Sequence, residues 1–137
     1  MNLLTGKVRL AAMCAALLCL TAAFASEDAP REKWGNLYFT GHGRPNPGLE
    51  NVTQRRSLSM ESAIIDGKAR IARYIQNMKM DKNLTLSEAM VKDPRLPGKV
   101  KMFLSGIQPV KSRWDKDDNC TVTLKMNKKA FLKQVRK

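Results

Sequence analysis

The chain has 137 residues, 43% hydrophobic and 27% charged, with 25 Lys and Arg against 12 Asp and Glu and a formal net charge of +13. Such a length suits one domain, and so basic a balance argues for anionic partners while saying nothing about fold. One histidine and three cysteines exclude a histidine-built metal site, which needs three or four converging ligands.

Residues 1–25, "MNLLTGKVRLAAMCAALLCLTAAFA", carry two early cations, Lys7 and Arg9, then an apolar run from Leu10 to Leu20 and small residues up to Ala25. That is the layout of a secretory signal peptide, with cleavage expected after Ala25. The apolar run is too short for a transmembrane anchor. Met13 and Leu18 stand before Cys14 and Cys19, where a lipoprotein signal wants a small residue. Removal of the leader leaves Ser26 to Lys137, 112 residues, and takes Lys7 and Arg9 with it, so +13 becomes +11. Export makes nucleic acid the least expected anionic partner. Cys120 is the one cysteine outside the leader, so no internal disulfide can form and stability must come from an apolar core. It reads as a small buried hydrophobe in a strand.

Residues 26–33, "SEDAPREK", are polar and read as a flexible lead-in, leaving 34–137 as a single domain. "WGNLYFTG", Trp34 to Gly41, is aromatic and β-prone, so a strand is predicted. "HGRPNPGLEN" holds two prolines and two glycines, the mark of a loop. A long helix follows from about Val52 or Ser57. On it Met60, Ala63, Ile64, Gly67, Ile71, Ile75 and Met78 recur at spacings of three and four and form one apolar stripe. Gly67 costs a mid-helix position up to about 1 kcal/mol relative to alanine. Close approach of the helix to a sheet would compensate. Asp66 and Arg70 form an i,i+4 pair of favourable order.

Between Lys79 and Gly106 the pattern predicts short helical pieces. Thr85 or Ser87 caps the first, which Pro94 ends after Val91, and "GKVKMFLSG" gives another turn or two. "IQPVKSRWD" (Ile107 to Asp115) and "CTVTLKM" (Cys120 to Met126) predict a hairpin across the polar run "DKDDN". Cys120, Val122, Leu124 and Met126 fall on one face of its second strand. Asn127 caps a short C-terminal helix with Phe131, Leu132 and Val135 on one side. The expectation is an α+β fold, a small antiparallel sheet packed on one long helix, in the order β-α-(α)-β-β-α.

No catalytic constellation emerges from the residue types. His42 lies among glycines at a strand end, and "GHGRPNPG" matches neither a Walker loop nor a dinucleotide fingerprint. "DKDDN" has acidic oxygens at alternate positions, as calcium loops do, but lacks the glycine and downstream glutamate of an EF-hand. It reads as a turn. No cofactor and no metal are expected, and the chain is read as a non-enzyme.

Basic residues carry the functional signal. Arg55 and Arg56 lie on the long helix, and Lys125, Lys128, Lys129, Lys133, Arg136 and Lys137 crowd the C-terminus. Arg55, Arg56, Lys128, Lys129 and Lys133 are the candidate contacts to an anionic surface or partner, through salt-screened attraction. A second candidate, in another class, is a small acidic ligand held near His42, Arg44 and Trp114.

"YFTGHGRP", then "AIIDGKARIARYI" (Ala63 to Ile75), then "SGIQPVKSRW" and "CTVTLKM" resemble the small envelope domain of the flagellar basal-disk lipoprotein and of the N-terminal domain of flagellar assembly protein T. In that family a strand ending in Gly-x-Gly leads to an alanine-rich helix and then a hairpin. Here Gly67 stands where alanine is usual, and the leader shows no proper lipid-attachment cysteine. The resemblance spans about Trp34 to Met126. It implies a periplasmic or outer-membrane-associated protein of a Gram-negative bacterium, scaffolding or assembling through its surface. The expected partners are another envelope protein, itself, or anionic lipid or lipopolysaccharide, with a flagellar connection.

Overall fold

The computed structural model describes residues 29–137; the predicted signal peptide and its cleavage point lie outside them. The element order is β1 (Arg31–Lys33), β2 (Asn36–Gly43), α1 (Val52–Gln76), β3 (Lys79–Asp81), β4 (Leu84–Thr85), α2 (Leu86–Lys92), α3 (Leu96–Gly106), β5 (Pro109–Trp114), β6 (Cys120–Asn127) and α4 (Lys128–Arg136). Strands β1, β2, β6 and β5 form, in that order, one antiparallel sheet, and β3 and β4 form a separate two-stranded ribbon. This is the expected α+β fold, with the long helix packed on the sheet.

The alternation read in β6 decides which face of the sheet is covered. Cys120, Val122, Leu124 and Met126 are buried, as are Leu37 and Phe39 on the neighbouring β2. Against them lies the α1 stripe, with Ala63, Ile71 and Ile75 fully buried. Helix α4 closes the core with Phe131 and Val135, and the Phe131 ring meets Phe103 of α3 edge-on at 4.8 Å between centroids. Phe39 and Tyr74 make a second edge-on pair at 5.5 Å. Such pairs add to area burial because the positive ring edge meets the negative face.

Gly67 faces the sheet, as the stripe requires. A Cβ there would meet Leu124 Cδ1 at 2.7 Å and the Gly41 Cα at 3.5 Å. The sheet contributes its own glycines to the same contact. A Cβ on Gly41 would run into the Ala63 carbonyl oxygen and Gly67 N, and one on Gly43 into the Ser59 carbonyl oxygen and Ala63 N. The "TGHGRP" glycines thus allow α1 to lie backbone to backbone on β2.

Capping follows the sequence closely. Asn51 accepts from the amides of Thr53 and Gln54 at the start of α1. Thr85 and Glu88 form a reciprocal capping box on α2, satisfying two amides that the first helical turn leaves without partners. Asn127 accepts from Ala130 N on α4. The third helix runs longer than the turn or two expected, because Pro97 falls in its first turn, where proline needs no amide partner. The lead-in departs from its loose reading: Arg31, Glu32 and Lys33 pair with Tyr38, Leu37 and Asn36 as an edge strand. Trp34, expected to open the strand, instead sits with Gly35 in the β1–β2 turn.

Both edges of the sheet are poor templates for further strands. β1 has three residues, and β5 begins at Pro109, carries Lys111 and Arg113, and breaks register between Pro109 and Lys111. Charges, prolines and bulges of this kind blunt edge-to-edge pairing.

Candidate functional site

Strand parity sorts the remaining side chains onto the uncovered face. Register pairs Arg31 with Tyr38, Lys33 with Asn36, Tyr38 with Lys125, Thr40 with Thr123, His42 with Thr121, Lys111 with Thr123 and Arg113 with Thr121. Since Cys120, Val122, Leu124 and Met126 point at α1, these partners point away from it. Arg31, Lys33, Lys111, Arg113 and Lys125 are all exposed. Five cations therefore stand around a floor of Thr, Asn, Tyr38 and His42, and among the described residues no carboxylate belongs to this face. The helices of the described residues pack against the opposite face. Among those residues no helix is long and apolar enough to cross a membrane.

The five predicted contact residues do not form one patch. Lys128, Lys129 and Lys133 are exposed on α4, where Lys129, Lys133, Arg136 and Lys137 line a shallow depression of about 450 Å³. Arg55 and Arg56 lie at the far end of β6, beside the Asp115–Asn119 turn. Eight residues of strand span about 23 Å, so the two groups sit at opposite ends of the sheet. The arginines there have an internal task. Arg55 Nη2 and Nε lie 2.9 and 3.1 Å from Asp118 Oδ2, and Arg56 Nε lies 2.7 Å from Oδ1. Arg55 also donates to the carbonyls of Leu49 and Glu50. Asp118 is buried, with φ of +60°, a conformation Asp tolerates better than most residues. The pair binds the β5–β6 turn to the start of α1, and Trp114 Nε1 adds a 3.1 Å hydrogen bond to the Arg56 carbonyl. Arg55 and Arg56, both candidate contacts, are thus engaged within the domain by Asp118.

The alternative ligand set does not converge. His42 is exposed on the open face, its Nδ1 3.5 Å from Thr121 Oγ1, while Trp114 pairs with Cys120 and points toward α1. Arg44 lies exposed beyond the end of β2. The imidazole and the Cys120 thiol are likewise on opposite faces of the sheet, and burial pushes the thiol above its ordinary range. A Cys–His pair is thus ruled out by the pleat.

The acidic turn is spent on its own backbone. Asp115 Oδ1 accepts from the amides of Asp117 and Asn119, and Oδ2 from Asn119 Nδ2. Among the described residues no group of three or more His, Cys, Asp or Glu is placed to hold a metal ion. Hydrogen bonds from Arg56 and Arg55 hold the Asp118 carboxyl below its usual range. The Asn119 side chain does so for Asp115, and the Thr85 amide and hydroxyl for Glu88. Their folded pKa values are depressed, so the unfolded chain takes up protons first as the pH falls. The stability they confer is present above about pH 4, the ordinary carboxylate range, and is lost as the pH drops through the lower folded values. Thermal midpoints measured from pH 6 down to pH 2 are expected to fall below about pH 4. Asp118→Asn should give a shallower fall; an unchanged slope would contradict the clamp.

The cations of the open face escaped the sequence reading, apart from Lys125. Their signal was there: Arg31 and Lys33, like Lys111 and Arg113, alternate with period two, as side chains on one face of a strand must. No family model, no curated protein and no solved structure matches this chain.

Proposed function

We propose that the chain is a non-enzymatic, exported module of the bacterial envelope that docks by charge onto an anionic surface or partner. The scaffolding or assembly role implied by the flagellar-envelope resemblance belongs to the same proposal, as does a place in the periplasm or at the outer membrane. One observation carries the reading: a four-stranded sheet that the described helices cover on one side, whose other side holds, among the described residues, five cations and no acid. A flat array of this kind attracts a surface of opposite charge over a Debye length, about 10 Å at 0.1 M salt and 3 Å at 1 M.

The test is co-sedimentation with anionic phospholipid vesicles, with lipopolysaccharide and with neutral vesicles, at low and high ionic strength. Pelleting with an anionic surface at low salt, released at high salt, is the expected result. Absence of binding to either anionic surface at low salt would remove the proposal.

A further inference from the structure

Trp34 is 86% exposed, an unusual place for the largest side chain. It shares a two-residue hairpin turn with Gly35, and both have positive φ, +51° and +74°. Turns of that hand favour Asn, Asp and Gly, and a bulky residue in this conformation is an outlier. The indole repays the strain with no core packing. Its recorded ring contact is with a cation, the Lys33 ammonium, 4.4 Å from the ring centroid.

The turn is also held at a particular end of the molecule. Asn36 Nδ2 donates to the Trp34 carbonyl at 3.4 Å, and Asn127 Nδ2 donates to Asn36 Oδ1 at 3.1 Å. That chain of hydrogen bonds places the Trp34–Gly35 turn at the end of the sheet where α4 begins. Lys125 lies two residues earlier on the open face, and Lys79 and Lys128 line one shallow depression of about 400 Å³. An exposed indole, with the Lys33 ammonium over its ring, thus stands at the end of the sheet where Lys125 and Lys128 are also exposed.

We infer that Trp34 is an interfacial anchor, the point at which the protein enters the headgroup layer of a bilayer rich in anionic phospholipid. This rests on the docking function proposed above and assigns its lipid and its orientation. Tryptophan rings settle at the membrane–water interface, and lysines close to an anionic leaflet are attracted to its phosphates. Interfacial binding strengthens with buried apolar area and with attraction to anionic lipid, and this end of the sheet supplies both. Single-stranded nucleic acid fits less well, because it needs successive aromatic platforms and Tyr38 is the one aromatic residue within the open face.

The experiment uses phosphatidylglycerol–phosphatidylcholine vesicles and the full chain. A Trp114→Phe form isolates the emission of Trp34. Trp34 emission should shift to the blue on vesicle addition and be quenched by lipids brominated near the headgroup. Trp34→Asn supplies the residue the turn favours, so it should unfold no earlier than the parent while losing about tenfold in vesicle affinity. Vesicle binding with unshifted Trp34 emission and undiminished affinity in Trp34→Asn would overturn the anchor and leave the docking function standing. Absence of binding to phosphatidylglycerol vesicles at low salt overturns the anchor, and absence of lipopolysaccharide binding as well removes the docking function. Binding of a single-stranded oligonucleotide that quenches Trp34, with no vesicle binding, also overturns the anchor.

Discussion

Gly43→Ala is expected to destabilise the domain by about 3 kcal/mol or more, near or beyond the upper end of ordinary overpacking. The added methyl would meet main chain: the Ser59 carbonyl oxygen and Ala63 N, at 2.5 Å. Neither atom can swing aside as a side chain does, so α1 as a whole must lift from β2 and loosen the Ala63–Ile71–Ile75 contact below it. Against a typical total of 5–15 kcal/mol, that is a large fraction. Gly41→Ala should behave alike, since its methyl meets the Ala63 carbonyl oxygen and Gly67 N at 2.6 Å. Gly67→Ala is the informative contrast. Its nearest obstacle is the end of a leucine side chain, Leu124 Cδ1 at 2.7 Å, and alanine returns up to about 1 kcal/mol of helix propensity. Its net change should lie within about 1 kcal/mol of zero. Urea unfolding of the three variants checks the ordering. Equal stability of Gly43→Ala and the parent would show that helix and strand are not in backbone contact.

Neutralising Lys125, Lys128 and Lys129 together to glutamine should reduce affinity for anionic vesicles by about two orders of magnitude or more. Each basic residue near an anionic leaflet contributes about 1 kcal/mol, and 1.4 kcal/mol is a factor of ten. All three side chains are exposed, so thermal stability should be nearly unchanged. The control is Arg55→Gln with Arg56→Gln. That pair removes two cations, against three, from the sequence's apparent basic signal, yet it frees Asp118 from its clamp. It should lower the unfolding midpoint while leaving vesicle affinity close to the parent's. Equilibrium partitioning at low salt with a melting curve on each protein separates the cases. Affinity in the lysine variant equal to the parent's would refute contact through the Trp34 end of the sheet.

Much of the scaffold could be read from periodicity alone. The spacing of Ala63, Gly67, Ile71 and Ile75 fixes a helix face, and the alternation from Cys120 to Met126 fixes a strand face, because both run long enough for a period to be counted. β1, β3 and β4, at three, three and two residues, are too short to show one. Gly67 announced a close approach, but its counterparts Gly41 and Gly43 lie more than twenty residues away and are recognisable only once β2 lies beneath α1. The turn at Trp34–Gly35 lacks the Asn or Asp that signals its type.

The site was less legible for a related reason. Charge along the chain does not reveal which cations are already spoken for: Asp118 stands 62 and 63 residues from Arg56 and Arg55. Nor does it reveal which faces meet. His42 and Trp114 seemed able to share a ligand until the register set them on opposite sides of the pleat. Lys128 and Lys129, by contrast, follow directly from the Asn127 cap that starts their helix, and they remain exposed.

The blunted rims of the sheet bear on what happens when many copies crowd onto one surface. Neither the three-residue strand nor the kinked, proline-led one offers a ladder of amides that a neighbour could extend. Strand addition from these rims is therefore disfavoured even at high local density.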